Sequence, residues 1–105
     1  MIAQTPDPPY YAVIFTTVRT EDDNGYEEMA AQMVELAQIQ DGFLGLESAR
    51  NEVGITVSYW RDLEAIRKWK ENADHSFARE KGRKEWYRCF KTRIAKVERD
   101  YEFKR

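Results

Sequence analysis

Histidine and cysteine are nearly missing from this sequence: His75 and Cys89 are the single examples in 105 residues. One of each cannot build a zinc tetrad, and Cys89 has no internal partner for a disulfide. Proline stops at Pro9, after Pro6 and Pro8. No long apolar run is present, so no segment is expected to span a bilayer. The start of the chain has no basic stretch followed by an apolar one, so no secretory signal is expected. The five glycines form neither a phosphate-binding loop nor a dinucleotide fingerprint. No Ser or Cys sits in a nucleophile elbow. These absences favour a cytoplasmic protein without a metal.

What is present suits one folded domain. Hydrophobic residues make up 42% of the chain and charged residues 34%, a balance that excludes a disordered chain. The net charge of −2 hides an asymmetry. Residues 1–60 hold only Arg19 and Arg50 as cations, against ten acids. Residues 61–105 hold fifteen Lys/Arg against nine acids. Such halves can attract each other within a domain or across a dimer, or present a basic face to an anionic ligand. The basic run around residues 79–93 is interrupted by acids, and a pI near 5.5 argues against a nucleic-acid footprint. Neither nucleic acid nor a membrane is therefore an expected partner.

Residues 1–9 read as a flexible lead-in and residues 10–105 as a single domain. Tyr10 to Arg19 is aromatic and β-branched, apolar on both alternating sets, and predicts a strand covered on both faces. Asn24 is placed to cap a helix, with Glu27 at the capping-box position. Tyr26, Met29, Ala30, Met33 and Ala37 follow at helical spacing, and Asp41-Gly42 ends the segment. Phe43–Arg50 and Gly54–Trp60 predict a hairpin turning near Asn51-Glu52. Asp62 caps a second helix, whose apolar side holds Leu63, Ala65, Ile66, Trp69 and Ala73. A break is predicted at Asn72–Asp74, then a further helical stretch from His75 to Arg88. Phe90 to Phe103 alternates as a final strand with Ala95, Val97, Tyr101 and Phe103 on one face. The fold class is α+β: a ferredoxin-like β-α-β-β-α-β order with an antiparallel sheet.

Chemistry-bearing residues crowd into Ser58–Tyr87. All three tryptophans and His75 lie there. Projected on a helix, His75, Arg79, Gly82, Arg83, Trp86 and Cys89 share one half. His75 can accept a proton from a bound substrate, or simply bond nearby backbone or Asp74. Trp60, Trp69 and Trp86 can wall a ligand or fill the core. Arg79 and Arg83 can bind a carboxylate or phosphate, or face solvent or a dimer partner. Cys89, beside Arg88, reads as a reactive thiol if exposed and an inert one if buried.

These residues resemble the antibiotic biosynthesis monooxygenase superfamily, the dimeric α+β barrels. The likeness runs through Asp41-Gly42-Phe43-Leu44, Val57-Ser58-Tyr59-Trp60 and Asp62-Leu63-Glu64-Ala65. It continues through Trp69-Lys70, His75, Ala78, Gly82-Arg83, Trp86-Tyr87 and Val97-Glu98-Arg99. The resemblance implies a homodimer with the two sheets face to face. It also implies a pocket between each sheet and its helices, where Trp69, His75 and Trp86 converge. It implies cofactor-independent oxygenation of a small aromatic or quinol-type substrate, with no metal or flavin. His75 is then the expected base, and Tyr59, Trp69, Arg79 and Trp86 the substrate-binding residues. The haem-degrading branch uses a first-strand asparagine, a second-helix tryptophan and an axial histidine. Trp69 matches the tryptophan, but Thr16-Thr17 and Arg79 stand where the other two belong, so no haem is expected. The alternative on the same scaffold is a non-catalytic small-molecule-binding or stress-response dimer.

Overall fold

The computed structural model describes residues 2–21, 23–80 and 85–105, with the backbone alone for 76–80. Six elements follow in order: β1 (Tyr10–Arg19), α1 (Tyr26–Gln38), β2 (Phe43–Arg50), β3 (Gly54–Trp60), α2 (Leu63–Glu80) and β4 (Tyr87–Val97). The four strands form one antiparallel sheet in the order β2-β3-β1-β4. This is the ferredoxin-like arrangement that the pattern of apolar residues predicts. The hairpin turns where expected, with Asn51 N–H donating to the Val53 carbonyl at 3.1 Å.

Strand alternation assigns the two sheet faces. Val13 of β1 opposes Ser58 of β3 and Ile94 of β4, and Ser58 opposes Leu46 of β2. These residues face the helices. The core on that side joins Val13, Trp60, Ala37, Ala65 and Ile66, with Tyr11, Phe43 and Trp69 packed against it. Trp60 is fully buried, stacked on Trp69 at 5.7 Å and edge-on to Phe43 at 5.3 Å. Its indole N–H donates to Ser58 Oγ at 2.8 Å, so the buried donor is satisfied.

The other face of β1 carries Ala12 and Ile14, beside Tyr59 and Val57 of β3 and Ala95 and Arg93 of β4. Terminal segments cover one end of this face. Tyr10 donates to Asp100 at 2.5 Å, and Ala3 N–H donates to Glu47 at 3.0 Å. Among the described residues, no helix packs on the remainder.

Local signals explain the helix starts and ends. Ala65 N–H donates to Asp62 Oδ1 at 2.8 Å, the side-chain cap that the sequence predicts. Asp62 ionises below the usual carboxylate range, because that backbone bond and Arg61 both stabilise its charge. Gly42 has φ +90°, and a β-carbon there would lie 2.7 Å from that of Ala65. Arg61 then locks the turn, holding both oxygens of Asp41 at 3.1 and 3.0 Å.

Four local expectations need correction. Asn24 does not cap α1; the cap position is Gly25 in a left-handed conformation, with no side-chain bond. The Asn24 carbonyl instead accepts the Trp86 indole N–H at 2.8 Å. α2 does not break at Asn72–Asp74. Lys70–Asp74 pairs along the helix at 2.9 Å, and Asn72 bonds the Lys68 carbonyl at 3.1 Å, so polar side chains stay attached to the helix itself. Tyr87 and Arg88 are strand, not helix, and β4 ends at Val97. Tyr101 and Phe103 therefore lie outside the sheet and are exposed.

Candidate functional site

β3 explains why a cavity forms. Its helix-facing residues are Gly54, Thr56, Ser58 and Trp60, which run from no side chain to the largest one along a single strand. The Trp60 end fills the space under the helices. The Gly54 end leaves a cavity of about 630 Å³, the scale of a small-molecule site. Its roof is the α1 stripe of Tyr26, Met29, Ala30, Met33 and Val34, with Trp69 and Ala73 from α2. Its floor is Val13, Phe15 and Thr17, with Leu46 and Phe90 at the sides. The methionines give the roof adaptable shape.

Polar groups gather at the Gly54 end. Thr17, Gly54 and Arg50 lie in one row across β1, β3 and β2. Arg50 crosses over Gly54 and donates to Thr17 Oγ1. Tyr26 and Tyr87 stand beside them, edge to face at 5.9 Å, and their phenols share a hydrogen bond. Burial, more than that bond, pushes the Tyr87 phenol above its ordinary value, so Tyr87 stays protonated. The Arg19 guanidinium lies 3.3 Å from the Tyr26 ring centre, in cation–π contact. On the far side, Asp74 and Lys70 pair at the rim.

Of the residues expected to form the site, Trp69 lines this cavity. His75 is exposed on α2, one residue past the rim residue Asp74, and is not among the lining residues. Trp86 is buried behind the cavity, edge-on to Tyr26 at 6.2 Å. Tyr59 lies on the opposite sheet face. It donates to Glu47 at 2.6 Å, and burial together with that bond raises its phenol to about 12. The Arg79 side chain, Gly82 and Arg83 lie outside the described residues. Cys89 is exposed. The helix expected to reach Arg88 gives way to β4 at Tyr87, and the face expected to join His75 to Trp86 rests on residues outside the described ones.

Arg50, Thr17, Tyr26 and Tyr87 were not selected as site residues from sequence. Arg50 carried one signal, as one of two cations in the first sixty residues. Its role depends on Gly54, which stands opposite only once the hairpin forms. The described residues contain no group of three or more His, Cys, Asp or Glu placed to hold a metal. No helix among them is long and apolar enough to cross a membrane.

An antiparallel four-stranded sheet, two helices on one face and an apolar cavity between the layers define a small ferredoxin-like α+β protein. Residues 9–81 match the antibiotic biosynthesis monooxygenase family, and the chain belongs to it. It is 51% identical over 104 residues to the uncharacterized protein YqjZ of Bacillus subtilis, covering 97% of this chain and 91% of that one. PA3566 from Pseudomonas aeruginosa has a similar fold, with TM-score 0.68 and 16% identity over 91% of this chain and 99% of that one. So does a point mutant of SnoaB, a cofactor-independent oxygenase from Streptomyces nogalater. The TM-score there is 0.67 at 11% identity, over 82% of this chain and 90% of that one.

Proposed function

We propose that this protein is a cofactor-independent monooxygenase acting on a small aromatic or quinol-type substrate held between the sheet and the helices. The observation that carries this reading is the cavity of about 630 Å³, walled by Trp69, methionines and a tyrosine pair. Family membership and the fold shared with SnoaB support it. In cofactor-free oxygenation the substrate supplies the electrons once it has lost a proton. The protein then needs to hold the ring, exclude water and receive that proton. Trp69 packs on the ring, and the Tyr26 and Tyr87 hydroxyls bond a substrate oxygen. Trp86 acts through Tyr26, as a positioning residue. Arg79 is a further proposed substrate contact, and Tyr59, on the opposite sheet face, is a proposed dimer contact. His75 accepts the proton from the rim, one residue past Asp74.

Aerobic oxygen uptake with a panel of quinols and hydroxynaphthalenes tests the reading. Turnover by the wild type, a raised KM in Trp69→Ala and a reduced kcat in His75→Ala are expected. Equal kcat in His75→Ala would remove that residue from the chemistry.

One observation favours the second reading, a non-catalytic binding dimer. Among the described lining residues Asp74 is the sole carboxylate, and it is engaged by Lys70. That reading predicts ligand-dependent thermal stabilisation with no oxygen uptake. Either way, the sheet face bearing Ile14, Val57 and Ala95 is proposed to pack on a second copy of the chain. Sedimentation should then return twice the 12.5 kDa chain mass.

A further inference from the structure

We infer that the cavity is built for an aromatic acid, with the ligand's carboxylate on the Arg50 guanidinium. This rests on the reading that a small aromatic molecule occupies the cavity, and it adds the charge that such a molecule carries.

The first sixty residues hold two cations against ten acids. Arg19 lies over the Tyr26 ring, and Arg50 lines the cavity together with Tyr26 and Tyr87. Their circumstances differ. Arg19 already has a carboxylate, Asp23 at 3.0 Å. Arg50 has no ion pair among the described residues, and it donates to the neutral hydroxyl of Thr17. Guanidinium has five N–H donors in a planar fork, so one bond to Thr17 leaves the others for a ligand. Thr17 is itself buried, at 2% exposure. It anchors one end of the fork from inside the fold. Arg50 is an exposed residue that also lines the cavity, so it marks the mouth.

The anchor needs a gap in the sheet. Gly54 lies between Arg50 and Thr17 in register, and a β-carbon on Gly54 would overlap the guanidinium. Any other residue there pushes Arg50 off the cavity floor. Gly54 has no positive φ, so backbone conformation does not require glycine at this position. Passage of Arg50 is what requires it. Tyr26 and Tyr87 line the same cavity, and their neutral hydroxyls do not compete for the charge. An aromatic ring reaching Phe90 and Trp69 would place its acid group at this fork, where a planar carboxylate matches guanidinium in two parallel bonds.

Titration of the full chain with 2-naphthoate, 2-naphthamide and 2-naphthol at neutral pH, followed by calorimetry or tryptophan fluorescence, tests this. The three probes share a ring system and differ in the polar group. The wild type should bind naphthoate roughly tenfold or more tighter than the amide or the phenol, the scale of a charge-assisted hydrogen bond. Arg50→Gln should bring the naphthoate-to-naphthamide ratio close to one. Arg50→Lys should keep part of it. Gly54→Ala should lower the ratio with Arg50 still present, which covers the case of Arg50→Gln failing to fold. Trp69→Ala should weaken both probes and leave the ratio unchanged. Equal binding of acid and amide, naphthol binding as tightly as naphthoate, or a ratio that survives both Arg50→Gln and Gly54→Ala would each overturn the inference. Binding of no probe would overturn it together with the occupied-cavity reading. Missing oxygen uptake would overturn only the oxygenase reading.

Discussion

The two ends of the layer between sheet and helices are built from the same elements, yet one is packed and the other is hollow. At the packed end Trp60 meets Ile66, Ala65, Ala37 and Val13. At the hollow end the same strand presents Gly54 and Thr56, and α1 presents methionines across the gap. The difference lies in β3, where side-chain volume changes along one face. Stability is concentrated where volume is filled, because buried apolar area and close contact both stabilise the fold. Ligand capacity is concentrated where it is not. One helix–sheet sandwich thus serves both needs without an added domain.

The largest effect expected is from Trp60→Ala, which empties the packed end. It should cost about 3–5 kcal/mol, read as a lowered midpoint in urea unfolding. Gly42→Ala comes next. It forces a β-carbon against Ala65 and strains a residue at φ +90°, for an expected loss of about 1–3 kcal/mol. Ala30→Leu is the matching change at the hollow end. Both residues are strong helix formers and the cavity has room, so stability should shift by less than about 1 kcal/mol. Binding of 2-naphthoate should weaken even so. Equal destabilisation by Gly42→Ala and Ala30→Leu would erase the distinction between the two ends.

The smallest effect concerns pH and the opposite sheet face. Tyr59 is raised to about 12 by burial and its bond to Glu47. A phenol whose native pKa exceeds its unfolded value of about 10 contributes stability below pH 10 and loses it as pH rises toward 12. Tyr59→Phe should flatten the decline in stability over that window. An unchanged alkaline slope in thermal melts would show that Tyr59 is not its source.

Much of the fold was legible from sequence. The α1 stripe from Tyr26 to Ala37 is the roof of the cavity, and the two-faced apolar β1 is a central strand, because periodicity reports burial directly. The Asp62 cap was legible because a cap is a local bond. The errors fall where tertiary contacts override local signals. Asn24 has the chemistry of a cap, but the cap position falls one residue later, on Gly25, and the Asn24 backbone carbonyl accepts from Trp86, 62 residues away. The helical pattern runs on to Arg88, but pairing with β1 turns that end into strand from Tyr87. Tyr59 and Trp60 are adjacent in sequence, so strand alternation sends them to opposite faces. Trp69 stood out because a tryptophan on an apolar helix face meets either core or cavity, and here it meets both.

By itself the sequence determined the order of elements, the faces of both helices, the family and the concentration of aromatics. All of these depend on local propensity or on spacing along the chain. Tertiary structure decided where the cavity lies and which charge serves it. Thr17 is far along the chain from Arg50 and Gly54, and all three are ordinary residue by residue. Only strand register sets them in one row, because the passage of a guanidinium over a strand depends on what stands in the neighbouring strand.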